Sequence, residues 1–263
     1  MKRLLILLLV IPLLSVAKTS KETPVYFRFG YLHTSLLGNT HAFRNNNFFY
    51  GQGYNGHGVN MSLAIPLKKN WYVGFNYEPT SILILTDRVA SQAYTIFDDA
   101  QHYTRINKYN ITNEIGIHQL SLEVAGLFKT KYVELMPTVK SGVLIYGGSD
   151  DIMNYSRKRL NSNYTDEVRV LRSNSPTTVF WSVGLRVNKR LSKIFGFTGG
   201  VFYTGAPDLN VGYITKTTDF LGHSWQSAPV RYTQSFQAFQ FQLGATFYTW
   251  KGRRKRNVKA VDN

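Results

Sequence analysis

From residue 58 to residue 77 the chain changes character at every second position. Val59, Met61, Leu63, Ile65 and Leu67 alternate with Gly58, Asn60, Ser62 and Ala64. Lys68, Lys69 and Asn70 break the pattern, after which Trp71, Val73, Phe75 and Tyr77 alternate with Tyr72, Gly74, Asn76 and Glu78. Successive side chains of a strand point to opposite faces, so this stretch predicts a β-hairpin with one apolar face and one small or polar face. The same unit recurs along the chain. Residues 25–31 predict a first strand, and the second arm of the opening hairpin continues past Pro79 to Leu85. Residues 117–128 and 133–145 predict a hairpin around Lys129, Thr130 and Lys131. Residues 179–187 and 195–203 predict another around 189–193, and residues 239–247 predict the last strand. Residues 34–57, 87–113, 147–177 and 205–234 are polar and read as four long loops. Eight strands joined alternately by short turns and long loops match an antiparallel up-and-down barrel.

Alternation alone does not say which face is outside, since soluble ligand-binding barrels of the lipocalin type also have eight strands. Three features decide. The polar face is small, with Gly58, Ser62, Ala64, Gly74, Ser182, Gly184, Gly196, Gly200 and Gly244, as the narrow interior of an eight-stranded barrel requires. The apolar face carries no charge on any strand, as expected where a charge would face lipid. Short turns at one end and long loops at the other are the outer-membrane pattern. Tyr31, Trp71, Tyr77, Phe128, Phe195, Tyr203, Phe247, Tyr248 and Trp250 lie near strand ends and are expected to form interfacial girdles.

The N-terminus adds a location. Met1-Lys2-Arg3, an apolar run to Leu14 and then Ser15-Val16-Ala17 read as a secretory signal cut after Ala17. The run is shorter than the ~20 apolar residues of a membrane helix. The expected organisation is a signal peptide over 1–17, a barrel over 18–250 and a basic periplasmic tail over 251–263. The chain has no cysteine, which excludes a disulfide framework and a thiolate metal site.

The leader and eight amphipathic strands resemble the small outer-membrane barrels of the OmpA/OmpX type. The Asn- and Tyr-rich loops and the basic tail resemble the outer-membrane β-barrel domain family of Bacteroidota. The resemblance covers residues 25–250 and is one of pattern. It implies an all-β, eight-stranded antiparallel up-and-down transmembrane barrel with short periplasmic turns and long outer loops, set in outer-membrane lipid. It implies no activity. One departure stands out: such barrels commonly end at an aromatic residue used in assembly, whereas here Phe247, Tyr248 and Trp250 precede the tail.

Charge refines the picture. Arg28, Glu78, Glu123, Glu134, Lys140 and Arg186 lie on strands in the inward phase. Buried charges require partners, so these residues are expected to form an interior salt-bridge plug, with Glu134 and Arg186 as one pair. The net charge of +16 concentrates on the short-turn rim, at Lys68, Lys69, Lys129, Lys131, Lys189, Arg190 and Lys193 and in the tail at Arg253, Arg254, Lys255 and Arg256. Such a rim suits anionic lipid head groups. The leader and the lack of a stacking platform argue against a nucleic-acid partner.

Catalytic signals are sparse. The histidines His33, His41, His57, His102, His118 and His223 show no zinc spacing, and no cofactor fingerprint occurs, so neither metal nor cofactor is expected. His33 and Ser35 at the outer end of the first strand, with Glu78 near the same level, are weak catalytic candidates in the manner of outer-membrane lipid A deacylases. The expectation is a non-enzymatic barrel whose outer loops bind an extracellular ligand or another envelope protein. The alternatives are an accessory barrel of a type IX secretion machine, PorT-like, and a lipid A deacylase-type enzyme.

Overall fold

A computed structural model describes residues 24–37, 55–68, 70–83, 103–111, 114–147, 151–160 and 162–249. The signal peptide and the basic tail expected from the sequence lie outside the described residues. Thirteen strands occur among the described residues, in the order β1 (Val25–Leu36), β2 (Asn55–Lys68), β3 (Trp71–Leu83), β4 (Tyr103–Ile111), β5 (Glu114–Gly126), β6 (Phe128–Lys129), β7 (Glu134–Tyr146), β8 (Asp151–Arg159), β9 (Thr165–Arg172), β10 (Thr177–Arg190), β11 (Phe195–Thr218), β12 (Ser224–Gln226) and β13 (Val230–Thr249).

Eight of these close a barrel. The antiparallel neighbours run β1–β2–β3–β5–β7–β10–β11–β13. The ring closes where β13 returns to β1, from Val25↔Thr249 at the turn end to Leu36↔Ala238 at the loop end. Closure leaves no free edge over the barrel's common height, which a membrane span requires. The alternation read from the sequence sets the two faces. Phe27, Phe29, Phe75, Leu122, Val139, Val183, Phe241 and Leu243 are exposed on the outer wall, while Tyr26, Arg28, Tyr72, Glu123, Lys140 and Phe202 are fully buried inside.

Glycine sets how closely two walls approach. A Cβ at inward Gly142 would lie 1.9 Å from the Leu120 carbonyl oxygen of β5, so no larger residue fits there without moving the backbone.

Two expectations are corrected. Tyr248 belongs to no girdle: it points inward and is buried, stacking edge-to-face on Tyr26 with ring centroids 5.2 Å apart. Thr249 is the last residue of β13, so inward phase at position 248 follows directly from Phe247 facing out. Secondly, three of the stretches read as loops hold strands. β11 and β13 outgrow the barrel, and β9, β8 and β4 extend the sheet from β11 in that order. Strand β4 lies within 87–113, β8 and β9 within 147–177, and β12 within 205–234. Polar segments become strands here because β11 and β13 offer a ready template of backbone partners above the barrel.

Candidate functional site

The barrel lumen is layered. At the turn end Tyr26, Tyr72 and Tyr248 pack with Ala64, Ala125, Leu127 and Met136, and the Tyr26 and Tyr72 ring centroids lie 4.9 Å apart. Above this floor sits a ring of charge. Glu123 on β5 accepts hydrogen bonds from Arg28 on β1 at 3.0 Å and from Arg186 on β10 at 3.0 Å. One level higher, Glu78 on β3 accepts from Lys140 Nζ at 2.6 Å, Asn60 Nδ2 at 2.6 Å and Gln242 Nε2 at 2.8 Å. The Lys140 ammonium lies 4.0 Å from the Phe202 ring centroid. Gln240 bridges Gln119 and Thr204 above these pairs.

The structure brings Arg28, Glu123 and Arg186 together, and Glu78 with Lys140. It does not join Glu134 to Arg186. Glu134 faces Asn188 across the β7–β10 ladder, while Arg186 faces Met136. The Arg186 side chain spans the lumen to Glu123 instead. Glu134 is held at the floor by Arg190 at 3.2 Å and by the Tyr26 hydroxyl at 3.1 Å. Arg190, expected on the basic rim, is therefore half-turned into the barrel, where its guanidinium lies 4.3 Å from the Tyr248 ring centroid. Lys129, Lys131, Lys189 and Lys193 are exposed at the turn end, with Lys131 and Lys189 both set against Tyr132. Lys69, Arg253, Arg254, Lys255 and Arg256 lie outside the described residues.

The geometry separates the catalytic candidates. His33 and Ser35 share the outward phase of β1, and the His33 ring packs on His57 at 5.2 Å between centroids. Glu78 is sealed inside the lumen and engaged by Lys140. The barrel wall stands between them, so Glu78 is not positioned to orient His33. His57 is hydrogen-bonded by Tyr31, and His118 by Tyr77 at 3.0 Å, both on the outer wall. No group of three or more His, Asp or Glu side chains suited to a metal ion occurs among the described residues.

At the loop end the sheet carries a second constellation that the sequence reading missed. Tyr155, Arg157, Asp166, Val168, Val170 and Arg172 are buried on one face, and the opposite face carries exposed Glu167, Arg169 and Lys216. Arg172 ties the sheet to the barrel by donating to the Gly147 carbonyl at 2.6 Å, with its guanidinium 5.6 Å from the Tyr146 ring. Asn174 adds a clamp, accepting from Gly212 N–H at 2.7 Å and donating to the Asn210 carbonyl at 2.9 Å. At the tip, Tyr164 and Phe220 stack with centroids 3.8 Å apart and planes 15° from parallel. Leu160, Leu221 and Trp225 are exposed around them. The turn holding Phe220 and Leu221 outward is rigid: Asp219 accepts from Leu221 N–H at 2.9 Å and His223 N–H at 2.8 Å, and Gly222 supplies φ +85°. Although desolvation opposes it, these bonds and the His223 ring hold the Asp219 carboxyl below its ordinary range.

A closed antiparallel barrel with a charge-free apolar wall and an ion-paired interior defines a membrane-spanning β-barrel of the outer-membrane type. No family model matches this chain, and no curated protein matches it. Among solved structures the chain is similar to Ail, the attachment invasion locus protein of Yersinia pestis, at 10% identity and TM-score 0.43, covering 87% of this chain and 99% of that one. It is also similar to a major outer membrane protein from Thermus thermophilus at 12% identity and TM-score 0.45, covering 86% and 99%. A third likeness is to the outer membrane protein AlkL, at 12% identity and TM-score 0.46, covering 90% and 95%. The class assignment rests on the strand pairing and the two faces described above.

The filled lumen sets a first expectation. Side chains at three successive levels meet across an interior that eight strands leave only just wide enough to fill. Purified protein in planar bilayers should show no steady porin-like conductance. A stable large conductance from the monomer would contradict the packed interior.

Proposed function

We propose that this protein is a non-enzymatic barrel of the bacterial outer membrane that binds a partner outside the cell through its loop-end sheet. The observation that supports this is the rigid aromatic tip: Tyr164 stacked on Phe220, with Leu221 and Trp225 exposed beside them. Exposed apolar clusters rimmed by polar groups mark interaction sites, and aromatic residues dominate interface hot spots. The sheet is fastened to the barrel at Arg172 and braced within itself at Asn174, so the tip is held at a fixed place rather than on a free loop. The partner is an envelope or extracellular molecule with an apolar pocket that admits the tip.

The chain has no cysteine, which gives a clean test of side. Leu221→Cys should be labelled on intact cells by a membrane-impermeant maleimide, while Thr130→Cys at the turn end should react only after lysis. A photo-crosslinking residue at position 220 should give one discrete adduct on intact cells. Tyr164→Ser should abolish that adduct without changing the heat-modifiable gel migration of the barrel. Labelling at position 130 on intact cells would reverse the orientation, and the absence of a Tyr164-dependent adduct would remove the binding role.

A further inference from the structure

The barrel wall has a break. β10 and β11 last pair at Trp181↔Gly205, although β10 begins at Thr177 and β11 continues to Thr218. Above that pair the β11–β13 register shifts between Ala206 and Leu209. This is a bulge that contains Pro207, and a bulge bends the strand that carries it. Proline also has no N–H to give a ladder. β11 leaves β10 here and pairs with β9 from Tyr213 onward. Among the described residues no strand pairs with β10 from Thr177 to Phe180 on the β11 side.

The parting strands leave a cleft of about 420 Å³, within the range of roughly 300–1,000 Å³ usual for small-molecule sites. Val179, Phe180 and Trp181 line one side, and Tyr203, Gly205 and Pro207 the other. The cleft is open to the lipid-facing wall, since Val179 and Trp181 are exposed there. Gly205 forms its floor: a Cβ at that position would lie 2.9 Å from the Trp181 ring. Polar groups border it too. Gln237 contributes to the lining, and the Ser141 hydroxyl donates to the Phe180 carbonyl at 3.1 Å.

We propose that this cleft binds one lipid of the surrounding bilayer. An acyl chain lies between the Val179–Trp181 side and the Tyr203–Pro207 side, and the polar head meets the freed edge of β10. Two independent features call for such an amphiphile. The lining against the lipid wall is apolar, and the adjacent backbone of residues 177–180, still paired with β7 on one side, has no strand partner on the β11 side among the described residues. Unpaired backbone groups at the membrane are costly, and a lipid ester or phosphate supplies acceptors for the N–H groups while its chain fills the apolar part. The Trp181, Tyr203 and Phe239 rings, in contact at 5.4 and 5.6 Å between centroids, place the cleft at the loop-end aromatic band, where head groups and chains meet.

The test uses the full-length protein in phosphatidylcholine vesicles and in detergent. Native mass spectrometry, after detergent exchange that strips boundary lipid, should show one retained phosphatidylcholine per barrel. Filling the floor with Gly205→Leu should lower that retention by about tenfold, equivalent to ~1.4 kcal/mol. Val179→Trp narrows the cleft from its exposed side without touching the interior and should act in the same direction. Leu63→Ile, on the exposed wall of β2 across the ring from the cleft, should retain the lipid. A phosphatidylcholine with a diazirine in its chain, photolysed in vesicles, should label residues 179–181 and 203–207 above other lipid-facing strands. Equal retention in the wild type, Gly205→Leu and Val179→Trp, or labelling spread evenly round the barrel, would overturn the proposal. So would a dimer of the chain, abolished by Val179→Trp, in place of a lipid adduct.

Discussion

Glu123→Ala should destabilise the folded barrel by about 3–5 kcal/mol, the usual loss when one member of a buried ion pair is removed. Glu123 is the shared acceptor of Arg28 and Arg186, all three being fully buried. Its removal leaves the buried Arg28 and Arg186 without the carboxylate they share, while Glu78 is engaged by Lys140 and Glu134 by Arg190. The two arginines then repel one another in a medium that screens them poorly. Urea unfolding in lipid vesicles, followed by the shift between folded and unfolded gel migration, measures the change. Replacing the triad together, with Arg28→Met, Glu123→Leu and Arg186→Met, should restore much of the loss, because apolar groups of similar volume need no partners. A silent Glu123→Ala would mean that the interior charges are not coupled as described. By contrast, Glu134→Ala should cost less, since its partner Arg190 is partly exposed at the floor and can meet water.

The neighbouring residue gives the second large effect, with the opposite logic. Leu122 points out from the middle of β5, opposite Phe75 on one side and Ser141 on the other. Leu122→Arg should cost ~2–4 kcal/mol, as a basic residue does at the midplane of a barrel's lipid face. The same change at Lys129, already basic and exposed at the turn end, should be nearly neutral. Measuring both by the same vesicle-unfolding assay locates the bilayer on the barrel. Equal, small costs at the two positions would place Leu122 in water and remove the membrane span.

These adjacent residues show why the barrel is legible in the sequence. A period of two assigns Leu122 outward and Glu123 inward with no structural information, and the rule holds at Phe27 and Arg28, and at Val139 and Lys140. Partner choice inside the lumen is not legible in the same way. It depends on which residues share a level after strand stagger, and on how far a side chain reaches across the lumen. Lys140 stands opposite Glu123 in the β5–β7 register, yet its ammonium reaches Glu78. Arg186 and Glu134 are near one another in the ladder but the guanidinium extends across the barrel to Glu123.

The loop-end sheet escaped the reading for a different reason. On β9, Val168 and Val170 alternate with Glu167 and Arg169, which is a strand signal, but the buried face also carries Asp166 and Arg172. The Arg159–Asp166 pair at 3.3 Å replaces an apolar contact on that face and erases the binary pattern. In β11, Pro207 and Asp208 read as the end of a strand. They sit instead in a bulge, one of the settings in which a strand accommodates proline.

β11 and β13 each run as one strand from the turn end of the barrel into the loop-end sheet, paired from Phe195↔Phe247 to Tyr213↔Val230. A pull on the tip along the strand direction is therefore borne as shear. The hydrogen bonds of the ladder lie across that direction and are loaded side by side, instead of opening one after another as in peeling. Tension enters the barrel through two adjacent staves and is spread over the full depth of the wall. A load applied at the loop end would thus be carried down the same two strands into the closed wall of the barrel.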